Sequence, residues 1–463
     1  MRKKFIARLV QTLCILLFTL GISQAQTGIA TPYSRYAIGD LLFNGFARQT
    51  AMGGISAAYH STNAVNFSNP ASYGNLRITT FETAIRGEYS KISSSTESQK
   101  HKGATLGYMA LGFPVIKDNW GASLGLIPVS VTGYDLVSSG TLQADTAIYN
   151  YDSKYTAKGG LSRFYIGNGF APFSKSLDNF LASKKYQRMV ADSDSIHIHK
   201  IEGKLKLLKG FSFGFNASYM FGSIDKERRV VFSNSYLFND KVVDNTAYGD
   251  FYFDYGIQYA YEFKNDYKLS VGVSGAASSK IKARRDVLWT IYKGSTFESD
   301  VDTVYNVENL TGKTTIPQTW NAGAVFQKGE KWLVGAEYAM QNWSKFESFG
   351  VKDNLVNSYR VSVGGQYSPN DKIALRAGYR FSKTYLELKN TPINDNAISL
   401  GIGLPIRLSS AERRLTDNRT MLHFTLEGGQ RGTTSNNLVK QQYMRVYIGI
   451  TANELWFIKR KYD

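Results

Sequence analysis

The chain carries one cysteine among its 463 residues, Cys14. That residue lies in an N-terminal apolar stretch, with a long apolar run after it and no lipobox, which argues against lipoprotein anchoring. The remainder has no thiol for a disulfide or a thiolate-ligated metal. Past Gln26 there is no run of about 20 apolar residues, so transmembrane helices are excluded and a closed barrel is the only structure left that crosses a bilayer. Proline is scarce at nine, and no Pro/Gly/Ser linker divides the chain, although a soluble protein of this length would normally form several domains. Histidine is scarcer still. None of His60, His101, His197, His199 and His423 sits in a nucleophile motif. His197 and His199 would share a face if their segment were extended, yet no further ligand cluster lies near them. The glycine pairs Gly159-Gly160 and Gly364-Gly365 fall at strand positions and suit close inter-strand approach or a bulge, not a phosphate loop. The chain reads as a non-enzyme without cofactor or metal site.

What the sequence does have is alternation. Phe211, Phe213, Phe215, Ala217, Tyr219 and Phe221 alternate with Ser212, Gly214, Asn216, Ser218 and Met220. A period of two puts one aromatic face and one small or polar face on a strand. The pattern recurs from Phe251 to Phe263 and onward to the C-terminus. About fourteen such segments lie between Leu76 and Ala452, and many reach the 9–11 residues that a tilted strand needs to span a bilayer. Tyr (30) and Phe (27) far outnumber Trp (6), an aromatic supply that suits girdles at two membrane interfaces. The fold class is all-β, a transmembrane antiparallel β-barrel.

The ends point to a compartment. Arg2, Lys3, Lys4 and Arg8 precede an apolar stretch from Leu13 to Ile22 and the small-residue site Ser23-Gln24-Ala25, so residues 1–25 read as a signal peptide. The formal charge of +18 is strongly basic. An exported chain rarely meets nucleic acid, so outer-membrane lipid and the phosphates of lipopolysaccharide are the expected partners.

The connections suggest the topology. Lys117-Asp118-Asn119, Lys264 to Tyr267, Lys328 to Lys331 and Ser368 to Asp371 read as tight turns, whereas Asp135 to Lys158, Phe232 to Gly249 and Arg285 to Lys313 read as long polar loops. Short turns face the periplasm in such barrels, which puts both termini there. In the closing strand Met444, Val446, Ile448 and Ile450 face lipid, so Tyr443, Arg445, Tyr447 and Gly449 face the lumen. A charge against lipid near the midplane costs roughly 2–4 kcal/mol, and the same test turns Arg376 and Arg380 inward as pore-lining groups or internal ion pairs.

Two regions fall outside the strand pattern. Residues 26–75, with Leu41, Leu42, Phe43, Phe46 and Met52, are expected to fold into the lumen as a plug. Within it Asn69 and Pro70 would fix a turn, and Gly53 and Gly54 would let backbones approach closely. Residues 171–209 form an insertion between the fourth and fifth strands, where Leu177, Phe180 and Leu181 have the spacing of a short amphipathic helix. That helix would lie on the membrane surface, hold a periplasmic partner, or be an idle loop.

Taken together, Arg48, Ala51-Met52-Gly53-Gly54 and Asn69-Pro70-Ala71 resemble the plug region of FadL-type outer-membrane proteins, which carry hydrophobic molecules. Ile316-Pro317, Trp320, Gly329, Trp332, Glu337-Tyr338 and Trp343-Ser344 look like the central strands of that family. The resemblance implies a fourteen-stranded barrel with an N-terminal hatch and a hydrophobic ligand. Thr31-Pro32-Tyr33-Ser34-Arg35-Tyr36 and the ending Trp456-Phe457-Ile458-Lys459-Arg460-Lys461 look like members from bacteria that use type IX secretion, among them PorV-like barrels that serve as secretion partners. Two features depart from the transporter pattern: the insertion at residues 171–209, and a tail at 453–463 beyond the last strand.

Two functions follow as expectations. The first is passive uptake of a hydrophobic small molecule past the plug. The second is a non-transporting scaffold that binds a periplasmic or outer-membrane protein, with Trp456, Phe457, Lys459, Arg460 and Lys461 in the contact, since aromatics and arginine are enriched at interfaces.

Overall fold

The computed structural model describes residues 31–42, 45–144, 147–192, 195–294, 297–370, 373–406 and 420–454. Residues 1–25, read above as a signal peptide, Phe43 and the tail from Trp456 onward lie outside these. Fourteen strands, some long and bent, form the wall: β1 Thr79–Ser93, β2 Ser98–Ile116, β3 Trp120–Pro128 continuing as Ser130–Ala144, β4 Ala147–Phe170, β5 Phe211–Phe232, β6 Asn239–Glu262 and β7 Tyr267–Ala276 continuing as Ser279–Lys293. The second half is β8 Ser299–Ile316 continuing as Thr319–Lys328, β9 Trp332–Gln341, β10 Ser358–Asn370, β11 Ile373–Leu388, β12 Thr391–Ile406, β13 Thr420–Gly432 and β14 Lys440–Glu454. Each pairs antiparallel with the next, and β14 returns to β1 from Thr79↔Glu454 to Ser93↔Lys440. The sheet is therefore closed.

Side-chain alternation carries through to exposure. On β14 Met444, Val446 and Ile448 are exposed, while Tyr443 and Tyr447 are buried. Aromatic contacts form two belts on the outer wall. Tyr267, Phe326 and Trp332 cluster toward one end, and Tyr338, Tyr359 and Phe381 toward the other. Trp332 and Tyr338 are six residues apart on one strand, about 20 Å along it. The wall between them is aliphatic, as a hydrocarbon layer requires.

The stretches read as long polar loops are mostly strand. Ser130–Ala144, the first half of β4, the ends of β5 and β6, Ser279–Lys293 and Ser299–Ile316 extend the sheet beyond the barrel rim. Where both faces meet water, hydrophobic alternation fades although the backbone ladder continues, so pattern reading stops short of the pairing. The insertion also differs from expectation. It holds three helices, α2 Ser176–Leu181, α3 Lys184–Ala191 and α4 Ser195–Lys209, instead of one, with Phe180 edge-on to Tyr186 at 5.5 Å. His197 and His199 sit on α4, and two residues apart on a helix they do not share a face.

One seam in the wall is incomplete. β2 and β3 pair from Ile116↔Trp120 to Met109↔Leu126 and no further among the described residues. Above that level the chain's own N-terminal segment takes up the free edge of β3, through Asp40↔Val131, Leu41↔Ser130 and Thr31 N to Gly133 O at 2.8 Å. Thr31 therefore lies near the rim opposite the paired ends Thr79 and Glu454. β1 begins and β14 ends at one rim, while the described chain starts near the other.

Candidate functional site: the filled lumen

Residues 31–42 and 45–75 lie within the barrel, and most are almost wholly buried. Two short elements shape the segment, the turn of helix α1 Ala47–Thr50 and a 3-10 turn over Pro70–Asn75. Asn69 caps the latter by accepting Ala71 N at 3.1 Å, while its amide nitrogen reaches Ala57 O at 2.6 Å. Gly53 has a φ of +70°, open to glycine, and its backbone lies against Tyr379 and Val363 of the wall. Gly378 faces it from β11, and Gly364 on β10 lies against the preceding Met52. A Cβ on Gly378 would collide with the backbone nitrogen of Gly53, and one on Gly272 with the carbonyl of Ala57. The segment and the wall meet backbone to backbone.

Strand side chains satisfy the segment's polar groups, as buried amides and carbonyls require. Glu337 accepts Ser56 N at 2.6 Å and Ala57 N at 2.7 Å, and Arg360 holds its other oxygen at 2.7 Å. Glu82 accepts Val65 N at 2.7 Å. Gln258 donates to Ala57 O at 2.9 Å, and Thr425 to Ala47 O at 2.9 Å. Phe46 stacks on Tyr108 with centroids 3.9 Å apart.

Ion pairs fill the space above. Asp40, on the lumenal segment, is paired with Arg431 of β13 at 2.6 Å. Arg431 reaches Gln441 at 3.0 Å, and Gln441 reaches Glu88. Glu88 holds Arg86 at 2.6 Å and Arg445 at 2.7 Å. Glu427 then bridges Arg445 at 2.9 Å and Arg380 at 3.1 Å, and Arg380 ends on Asp395 at 3.1 Å. Four arginines and four carboxylates make a neutral, connected chain that runs from the lumenal segment through five strands of wall. A separate group holds Arg376, which donates to Gln366 at 2.8 Å and faces His423 at 3.3 Å, with Arg48 on the other side of that imidazole. Burial lowers the Arg48 pKa, but Tyr59 and Glu82 raise it by more, so the guanidinium stays charged.

Arg380 and Arg445 thus meet at one carboxylate, Arg376 belongs to a different cluster, and Gly53, Gly54, Asn69, Pro70 and Ala71 lie in the lumenal segment. Trp456, Phe457, Lys459, Arg460 and Lys461 lie outside the described residues. Sequence reasoning singled out the arginines but missed their partners Glu88, Asp395 and Glu427. The same inward-parity test would have found Glu88 opposite Arg445 had it been applied to acids. A lumenal space of about 260 Å³ has a mixed lining, with Arg163, Asp254 and Arg380 beside the apolar Met220, Trp343 and Leu386. Among the described residues no group of three or more His, Asp or Glu gathers as a metal site.

The sequence profile of a family described as BamG matches residues 1–178 and 200–463. No curated protein matches the chain. Among solved structures, the Ralstonia pickettii toluene transporter TbuX superposes with a TM-score of 0.52 at 12% identity, over 89% of this chain and 99% of that one. The monoaromatic hydrocarbon channel CymD gives 0.50 at 10% identity, over 90% and 99%. A deltaS2S3 mutant of the monoaromatic hydrocarbon channel TodX gives 0.52 at 14% identity, over 89% and 99%. At these identities the likeness concerns the fold, which is that of FadL-like barrels.

Proposed function

The chain belongs to the BamG family, and on that premise we propose that it is an outer-membrane barrel with a permanently sealed lumen, acting as a scaffold for an envelope or secretion partner. The observation that carries this reading is the lumen's content. An apolar cargo needs an apolar pocket with few polar anchors. Here the interior holds a backbone-packed segment, a connected chain of ionised pairs and a packed apolar cluster around Trp343 and Tyr385, and displacing one member of a buried pair costs about 3–5 kcal/mol. The helical insertion and the tail at 453–463 supply surfaces for a partner.

A second reading has an observation of its own. The seam between β2 and β3, unpaired above Met109 and with residues 31–42 on the β3 edge, is a place where a hydrophobic molecule would leave sideways into the bilayer. TbuX, CymD and TodX are named as transporters or channels of aromatic hydrocarbons, and their fold supports this alternative.

Gentle detergent extraction of the full chain with an affinity handle in the 433–439 loop separates the two. The scaffold predicts a stoichiometric co-purified envelope protein, no extractable acyl or aromatic molecule, and no conductance in planar bilayers. A hydrophobic compound recovered at one per barrel, without a partner, would replace it with the conduit.

A further inference from the structure

At the end of the barrel where Thr79 and Glu454 pair, a chamber of about 360 Å³ lies between the helical insertion and the wall. Its roof is fixed at both ends. Ala171 N bonds to Asn119 O at 2.7 Å with Ser174 Oγ on Asp118 O, and Ala260 N bonds to Gly210 O at 2.9 Å. The family profile breaks off within this insertion, after residue 178, and resumes at 200.

Cations dominate the lining. Lys175, Lys206 and Lys209 come from the insertion, Arg77 and Lys268 from the barrel end. Three carboxylates face them, and two are already engaged. Asp118 binds Arg77 at 2.6 Å, and Glu262 lies between Lys209 at 3.9 Å and Lys268 at 4.0 Å. Asp178, in the first turn of α2, is the third. Five cations against three carboxylates leave a surplus of positive charge in a partly enclosed space. His60 also lines it, held at about 3 by burial and by Lys268, so it adds no charge at neutral pH.

The chamber borders the aromatic belt. Phe211 and Tyr261 form part of its lining; Phe211 stands 6.2 Å from Phe213, which stacks on Phe170, which stacks in turn on Trp120. A ligand with a phosphate head and an apolar body meets cations and rings in that order. A fully aqueous ligand would leave the rings unused. Resting on the membrane placement proposed above, we infer that this chamber binds the phosphate group of an anionic membrane lipid.

The test compares the wild-type full chain with the Lys206→Gln/Lys209→Gln/Lys268→Gln variant, both folded as judged by heat-modifiable migration. Native mass spectrometry in detergent follows retention of phosphatidylglycerol, with inorganic phosphate as a second probe. A Lys200→Gln/Lys204→Gln variant, which neutralises α4 outside the chamber, is the control. The expected result is one retained lipid on wild type and control, with each chamber lysine removed lowering retention about fivefold. Phosphatidylglycerol that survives millimolar phosphate identifies a lipid as the source, and saturation by phosphate alone identifies the free ion at the same site. Equal retention by the wild type and the triple variant, or retention of neither probe, overturns the proposal. A barrel that migrates as folded yet binds neither probe leaves the membrane placement standing, whereas a chain recovered as a water-soluble species sinks the placement itself.

Discussion

The carboxylate of Glu337, on the barrel wall, accepts the backbone amide of Ser56 at 2.6 Å, at a point where the lumenal segment turns beneath the strands. Its oxygens also take Ala57 N at 2.7 Å and Arg360 at 2.7 Å. One side chain thus satisfies two buried amides and neutralises a guanidinium.

Glu337→Gln removes the carboxylate that Arg360 binds at 2.7 Å and weakens both amide bonds. A loss of about 3–5 kcal/mol is expected, the usual result of breaking a buried pair from one side. Heat-modifiable gel migration should shift to lower temperature, and limited proteolysis should reach residues 45–75. Adding Arg360→Gln should recover part of the loss, because the buried charge goes with it.

Gly378→Ala and Gly428→Ala form a matched pair. A Cβ at 378 meets the backbone of Met52 and Gly53, which cannot swing aside, whereas at 428 nothing lies within 4 Å. The first should cost upward of about 1–3 kcal/mol or prevent closure around the segment; the second should be close to neutral. Folded yield in detergent, measured for both, separates close approach from a general intolerance of alanine.

Leu400 is 55% exposed on the outer wall, between the aromatic belts. Leu400→Arg should destabilise the barrel by about 2–4 kcal/mol in a bilayer, the cost of a cation near the midplane. Urea unfolding in lipid vesicles measures it. An unchanged midpoint would mean that this face does not contact hydrocarbon.

His60 is held at about 3 by burial and by the nearby Lys268 ammonium. Because the folded value lies below the unfolded one of about 6.5, the unfolded chain takes up the proton first as the solution is acidified. This contribution to stability is complete above pH 6.5 and declines as pH falls toward 3, by at most about 1.4 kcal/mol per unit. Thermal unfolding of His60→Gln should be flatter over that window than the wild type.

Much of the barrel was legible because strand alternation is a one-dimensional signal. Phe211 to Phe221 declares a strand with one lipid-facing side without reference to any neighbour, and Arg445 turns inward because lipid excludes it. The count of fourteen follows from such segments taken one by one. The extended hairpins over residues 134–157 and 285–313 were misread as loops because above the rim both strand faces meet water, and the pattern then carries no sidedness. The helical insertion was read short for a related reason. α4, with Ile196, Ile198, Ile201, Leu205, Leu207 and Leu208 spread around it, shows no single apolar stripe.

By itself the amino-acid order determined the element type and which face of each spanning strand tolerates charge. The partners of Arg380, Arg431 and Arg445, the fit of Gly378 to Gly53, and the pairing of residues 31–42 with the open edge of β3 were decided only when the sheet curled shut. Asp40 and Arg431 are separated by 391 positions in the chain. Contacts of that range depend on strand register and on barrel closure, which no local periodicity encodes.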